Sequence, residues 1–178
     1  MGKIKIHVFH VGEVRVSPYL PFGGEHCNII KASGLTTRKE NRIWLPVSAY
    51  LIEHPNGKIL VDCGWHRNMS PKGEFDKKAQ IKSLGSPLLY IVNQGKLKKG
   101  AAIDEQLIKI GINPSDIDYV LLTHLDCDHA NGLELVKDAK KIMVSSEEVK
   151  CATKNSFVRY KKKWWEGINH WNGLESRA

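Results

Sequence analysis

One segment restricts the folds open to this 178-residue chain more than any other. Tyr119-Val-Leu-Leu-Thr123 is apolar on both faces, and His124-Leu-Asp-Cys-Asp-His129 follows it at once. Such a stretch reads as a central strand covered by helices on both sides. Two imidazoles and two carboxylates are therefore delivered together from the end of a buried element. Whatever the fold is, it must make room there for His124, Asp126, Asp128 and His129.

The rest of the chain supplies strands and helices to build around that segment. Ile4, Ile6 and Val8 recur at period two and predict a half-buried strand, and Glu13-Val-Arg-Val-Ser17 predicts a second strand pairing with it. Residues 18–46 lack periodicity and hold several prolines and glycines, so they read as a long loop. Val47–His54 and Lys58–Gly64 flank Asn56-Gly57, the dipeptide that suits a tight hairpin turn. Helical stretches are expected over 76–83, 87–95 and 103–110, with Gly111 in the place of a C-cap glycine. A short helix is expected from Ala130 and a strand over Lys141–Ser145. Ser145-Ser-Glu-Glu148 matches a capping box that opens a further helix. Hairpins in the first half and strand–helix alternation in the second make this an α/β fold with mixed strand directions. The reading is a single domain over residues 1–178.

Composition excludes several classes. A 42% hydrophobic and 26% charged chain is ordinary globular material. The longest apolar run, Pro87–Val92, is far shorter than the ~20 residues that span a bilayer, so no membrane partner is expected. The first residues alternate and predict no signal peptide. Cys27, Cys63, Cys127 and Cys151 form no CxxC pair, which points to reduced thiols in the cytoplasm. The net charge of +8 is concentrated toward the C-terminal end. Lys96–Lys99 and Lys161–Lys163 therefore read as solvated or snorkelling lysines rather than a nucleic-acid face.

The chemistry lies in His124–His129. In extended backbone His124 and Asp126 point to the same side, and a turn swings Asp128 and His129 toward the same space. Desolvated carboxylates repel, and an unpaired buried charge costs several kcal/mol. A divalent cation removes that conflict, and a mixed N/O donor set suits Zn²⁺, Fe²⁺ or Mn²⁺. The alternative is an Asp-rich solvated loop with incidental histidines. An EF-hand is excluded, because Asn131 and Lys137 stand where its glycine and bidentate glutamate belong. Cys127 lies among acidic groups that raise a thiol pKa, so it is not read as a nucleophile. His26 and His66 are the other histidines that loops could bring toward the site.

Thr123-His-Leu-Asp-Cys-Asp-His-Ala-Asn-Gly132 resembles the HxHxDH motif of the metallo-β-lactamase fold hydrolases. Ile59-Leu-Val-Asp-Cys-Gly64 resembles the Asp-x-Gly strand end that precedes it there. The 49–62 hairpin, Asp118–His124, Arg159-Tyr160 and Trp164-Trp165 are similar to the branch that contains the N-acyl-homoserine lactonases. The resemblance implies an αββα sandwich of which this chain supplies the N-terminal half to two-thirds. It implies that His124 is a ligand of one metal site and that Asp128 and His129 are ligands of a second, with up to two ions if the site is complete, most often Zn²⁺. Asp126 stands where the family usually has a histidine and favours a harder metal. The resemblance also implies that Asp128 has the catalytic role of orienting the attacking water and that Asp62 supports the ligands from behind.

The family's later ligands come from a second αβ half, and no matching Gly-rich His loop follows Trp164-Trp165; His170 has the wrong surroundings. The expectation is a truncated or frameshifted hydrolase, acting on a lactone or related small ester if it is active. The alternative is an inactive fragment with weak or no metal binding. The exposed inner face of a lone half-sandwich is expected to promote self-association.

Overall fold

Asn56-Gly57 does turn a hairpin, between β2 (Ile43–His54) and β3 (Gly57–Val61), with Leu51 opposite Leu60. This hairpin is the centre of a larger sheet. The computed structural model describes residues 3–24, 27–154, 160–165 and 171–174. The remaining strands are β1 (Lys5–Val16), β4 (Gln94–Lys96), β5 (Tyr119–Leu121), β6 (Lys141–Ser145) and β7 (Trp171–Leu174). Among the described residues they form one seven-stranded sheet in the order β4-β1-β2-β3-β5-β6-β7. The β4-β1-β2-β3 side is antiparallel, and β3, β5, β6 and β7 run parallel.

β1 corrects the expectation of two paired strands. It is one strand that pairs with β2 along its length, with a register shift between His10 and Glu13. A single glycine is too little chain for a reversal, but it suits a bulge. Gly12 has φ +117, and a Cβ there would lie 2.6 Å from the Lys96 carbonyl oxygen. Beyond the bulge, Glu13–Arg15 pair with β4, a three-residue strand whose Gln-Gly-Lys sequence carries no periodic signal.

The helices are α1 (Tyr19–Phe22), α2 (Ile29–Ser33), α3 (Lys77–Leu84), α4 (Pro87–Val92), α5 (Ile103–Lys109), α6 (Cys127–Ala130) and α7 (Ser146–Lys154). The expected long loop over 18–46 is thus interrupted by α1 and α2, and β2 starts at Ile43 rather than Val47. Local chemistry accounts for the middle helices. The Asp76 side chain accepts a hydrogen bond from Ala79 N to start α3, and Ser86 does the same for α4, where Pro87 occupies the first turn.

These elements build one core on one face of the sheet. Leu51, Leu60, Val120 and Ile142 are fully buried with Leu84, Leu89, Ile103, Leu107, Leu133 and Ala152 from the helices and connecting turns. Burying each leucine or isoleucine contributes roughly 1.5–3 kcal/mol. Among the described residues nothing covers the other face, and this overturns two expectations. Ile6 and Val8 are 61% and 67% exposed, so the Ile4–Val8 stripe does not enter the core; Phe9 and Val11 do. β5 is likewise covered on the Val120 side alone, with Tyr119 and Leu121 only half-buried. Periodicity identified the stripe but not which side of the sheet the helices occupy.

Candidate metal centre

The parallel part of the sheet places the site. β3, β5 and β6 end at the same edge, so Asp62, Thr123–His129 and the start of α7 meet there. In parallel sheets this edge is where ligand sites are built.

Asp62 organises the cluster. It is 4% exposed, and its backbone N–H donates to the Leu121 carbonyl at 2.9 Å. Oδ1 accepts from Thr123 N at 2.9 Å, and Oδ2 accepts from Thr123 Oγ1 at 2.8 Å. Oδ2 also lies 2.9 Å from His129 Nδ1. Among the described residues Asp62 is the one non-glycine with positive φ, at 60°. Asp tolerates this left-handed region better than most residues, and such strain persists where surrounding contacts over-determine it.

The same contacts fix the two imidazoles. Thr123 Oγ1 lies 2.9 Å from His124 Nδ1. With Asp62 on His129 Nδ1, both proximal ring nitrogens are engaged, which aims both Nε2 atoms toward the carboxylates. His124 Nε2 lies 3.5 Å from Asp126 Oδ2, and His129 Nε2 lies 3.5 Å from Asp128 Oδ2. The rings are 4.1 Å apart between centroids. All four residues singled out in the sequence thus fall in one cluster, with Asp62 behind it.

Backbone contacts clamp the loop to the end of β3. Cys63 N donates to the His129 carbonyl at 3.0 Å, and Gly132 N donates to the Gly64 carbonyl at 2.8 Å. A Cβ at position 132 would lie 2.5 Å from the Cys63 carbonyl oxygen, so only glycine permits this approach.

Three positioning residues were not singled out by sequence. Thr123 bridges Asp62 and His124. Asn131 Oδ1 accepts from His66 N at 2.9 Å and from Ser83 Oγ at 3.3 Å. Glu148 Oε1 accepts from Leu125 N at 2.9 Å. The expected capping-box glutamate therefore holds the site loop. His66 takes part through its backbone N–H, and its Nδ1 accepts from Asn68 N at 2.9 Å. His26, Arg159 and His170 lie outside the described residues.

Electrostatics match a site short of positive charge. Burial pushes the Asp128 carboxyl above its usual range, and Asp126 adds to this while His129 and His124 oppose it. Burial alone would lower His129, but its hydrogen bond to Asp62 and the charges of Asp128, Asp62 and Asp126 raise it. Burial, then Asp128 and Asp126, push the Cys127 thiol well up, which leaves it a poor nucleophile.

Held proximal nitrogens, Nε2 atoms facing carboxylates and a half-buried carboxylate among other negative charges are the donor chemistry a divalent cation takes. The residues fit one in kind. As they stand, no three His, Cys, Asp or Glu side chains among the described residues are gathered closely enough to hold an ion.

Known proteins resemble this chain in sequence and in fold. The N-acyl homoserine lactonase AiiB of Agrobacterium fabrum is 31% identical over 151 residues, which cover 80% of this chain and 48% of that protein. An N-acyl homoserine lactone hydrolase, solved with N-hexanoyl-L-homoserine at its catalytic metal centre, superposes with a TM-score of 0.71 at 20% identity, over 99% of this chain and 61% of that one. A probable metal-dependent hydrolase from Staphylococcus aureus superposes at 0.63 with 23% identity, over 99% of this chain and 60% of that one. The chain spans about half the length of the curated relatives it matches. The fold is therefore α/β of the metallo-β-lactamase type. Residues 42–162 match the family model for these proteins, and the chain belongs to the metallo-beta-lactamase superfamily.

Proposed function

We propose that this chain is a metal-dependent hydrolase of lactones or related small esters, within a single metallo-β-lactamase-like domain over residues 1–178. The observation that supports this reading is the Asp62–Thr123–His124 and Asp62–His129 network, which spends both Nδ1 atoms on support and leaves both Nε2 atoms to face carboxylates. His124, Asp126, Asp128 and His129 would hold the cation. Zn²⁺ suits the imidazoles, and the carboxylate of Asp126 admits Fe²⁺ or Mn²⁺. When bound, such an ion acidifies water and polarises an ester carbonyl. Asp128 accepts a hydrogen bond from the attacking water and orients it. Asp62 holds His129 in one tautomer and, through Thr123, sets the rotation of His124. Cys27, Cys63, Cys127 and Cys151 as reduced thiols suit a reducing cytoplasm. Among the described residues no helix is long and apolar enough to cross a membrane.

A second reading is a non-catalytic chain with weak metal affinity. It is favoured by the open donor set, in which no three candidate side chains among the described residues are gathered closely enough to hold an ion. Metal analysis of the purified chain with an N-acyl-homoserine lactone assay separates the two. Turnover with bound ion, lost in Asp128→Ala, is the result expected for the hydrolase. Absence of both ion and turnover assigns the second reading.

A further inference from the structure

A cavity of about 620 Å³ opens beside α3, among the elements that cover the sheet. Its walls are the turn after β3, α3, the turn after α6 and Lys163-Trp164. Leu84 of α3 and Trp164 both belong to the buried core, so these walls stand on the covered side of the sheet, whatever packs against its other side. Among the described residues none of His124, Asp126, Asp128 and His129 lines the cavity. Clefts of this size with a few converging polar groups are where small molecules bind.

The polar groups of the cavity are mostly donors. Asn131 lines it and is 5% exposed. Asn131 Oδ1 accepts from His66 N at 2.9 Å, and because a backbone N–H can only donate, this bond fixes which amide atom is the oxygen. Ser83 Oγ donates to the same oxygen at 3.3 Å. Nδ2 has no partner among the described residues and is the amide atom left to the cavity. His66 follows the same logic. Its Nδ1 accepts from Asn68 N at 2.9 Å, so the neutral ring carries its proton on Nε2, which has no partner among the described residues. Lys82 and Lys163 add two ammonium groups, and Lys163 Nζ donates to the Lys82 carbonyl at 3.2 Å. The carboxylate of Glu134, also in the wall, is taken by Lys137 at 2.7 Å. Ala79 and the Trp164 ring supply apolar surface, with Trp164 Nε1 donating to the Ser83 carbonyl at 3.5 Å.

We propose that this cavity binds a small organic carboxylate, its oxygens facing Asn131 Nδ2, His66 Nε2 and the two lysines and its carbon chain lying along Ala79 and Trp164. A buried amide with an unspent donor needs an acceptor, and an ionised acceptor makes the stronger bond. The two ammonium groups select an anion over a neutral amide of the same shape. The apolar wall selects an anion that carries a carbon chain over a bare inorganic one. None of the metal donors takes part, so the proposal stands or falls apart from the hydrolase reading.

Isothermal titration calorimetry of the chelator-treated 178-residue chain with sodium hexanoate, hexanamide and inorganic phosphate tests this. Asn131→Asp keeps an oxygen for His66 N and replaces the Nδ2 donor with a second oxygen. Lys82→Glu reverses an exposed charge. The expected result is saturation at one hexanoate per chain, with a dissociation constant raised at least tenfold by Asn131→Asp and at least fivefold by Lys82→Glu. Hexanamide is expected to bind at least tenfold more weakly than hexanoate. Should Asn131→Asp fail to fold by circular dichroism, Lys82→Glu and the hexanamide comparison still decide. Absence of saturable hexanoate binding by the parent overturns the proposal, as do equal affinities for hexanoate and hexanamide, or an affinity that neither variant lowers. Phosphate bound as tightly as hexanoate also overturns it, and gives the cavity to an inorganic oxyanion.

Discussion

Asp62, buried, and Asp128, half-buried, are carboxylates facing the same imidazole from its two ring nitrogens, and their surroundings differ sharply. Asp62 receives a backbone N–H, a hydroxyl and a ring nitrogen, all within 2.9 Å. Asp128 meets His129 Nε2 only at 3.5 Å, and burial pushes its carboxyl toward the neutral form. One carboxylate is consumed in building the site; the other is kept at a cost. The difference teaches that side chains of one chemical type in one cluster separate by what already satisfies them. A carboxylate whose charge is disfavoured by its surroundings adds no stability by itself.

That contrast breaks most readily at Asp62. Asp62→Ala leaves Thr123 N, Thr123 Oγ1 and His129 Nδ1 without their acceptor, and the expected loss is about 3–5 kcal/mol by denaturant unfolding. Gly132→Ala forces the site loop away from the Cys63 carbonyl and is expected to cost about 2 kcal/mol or more in the same assay. Glu148→Ala frees Leu125 N–H and is expected to cost about 1–2 kcal/mol. Asp128→Asn goes the other way: with chelator present it leaves stability unchanged or raises it by up to about 1 kcal/mol, because a disfavoured charge is removed.

The pH dependence sharpens the same comparison. His129 has a raised pKa in the folded state, so its contribution is fully present below the unfolded value near 6.5 and is lost as pH rises through the folded one. Metal-free chain is therefore expected to lose stability on going upward from about pH 6.5, and Asp62→Ala flattens that slope. The raised Asp128 carboxyl acts elsewhere on the scale. Its penalty is absent well below the usual carboxylate range and develops as pH rises through the folded value, and Asp128→Asn removes it. Stability measured by urea midpoint across pH checks both signs.

Much of this arrangement was legible in the residues. The His124–His129 cluster after a buried strand, Asp62 at the end of another strand, and the Asn56-Gly57 hairpin were each signalled by local pattern. Helices α3 and α4 carried side-chain caps, and Lys141–Ser145 matched β6 at both ends. What failed had physical causes. A lone glycine at position 12 looks alike in a turn and in a bulge. Period two finds a stripe, but Ile6-Val8 and Phe9-Val11 are both apolar, and only the placement of helices decides which is covered. Glu148 fits a capping box in sequence, yet its carboxylate reaches across 23 residues to Leu125. Long-range acceptors of this kind have no local signature.

Equilibrium dialysis of the chelator-stripped chain against Zn²⁺ and Mn²⁺, with melting curves of the parent and of Asp128→Ala, tests the metal site most directly. The account predicts ion uptake by the parent with a raised melting temperature. In Asp128→Ala it predicts that uptake and the ion-induced rise both vanish while the metal-free melting temperature holds or increases. No uptake by the parent, or equal uptake by both proteins, contradicts it.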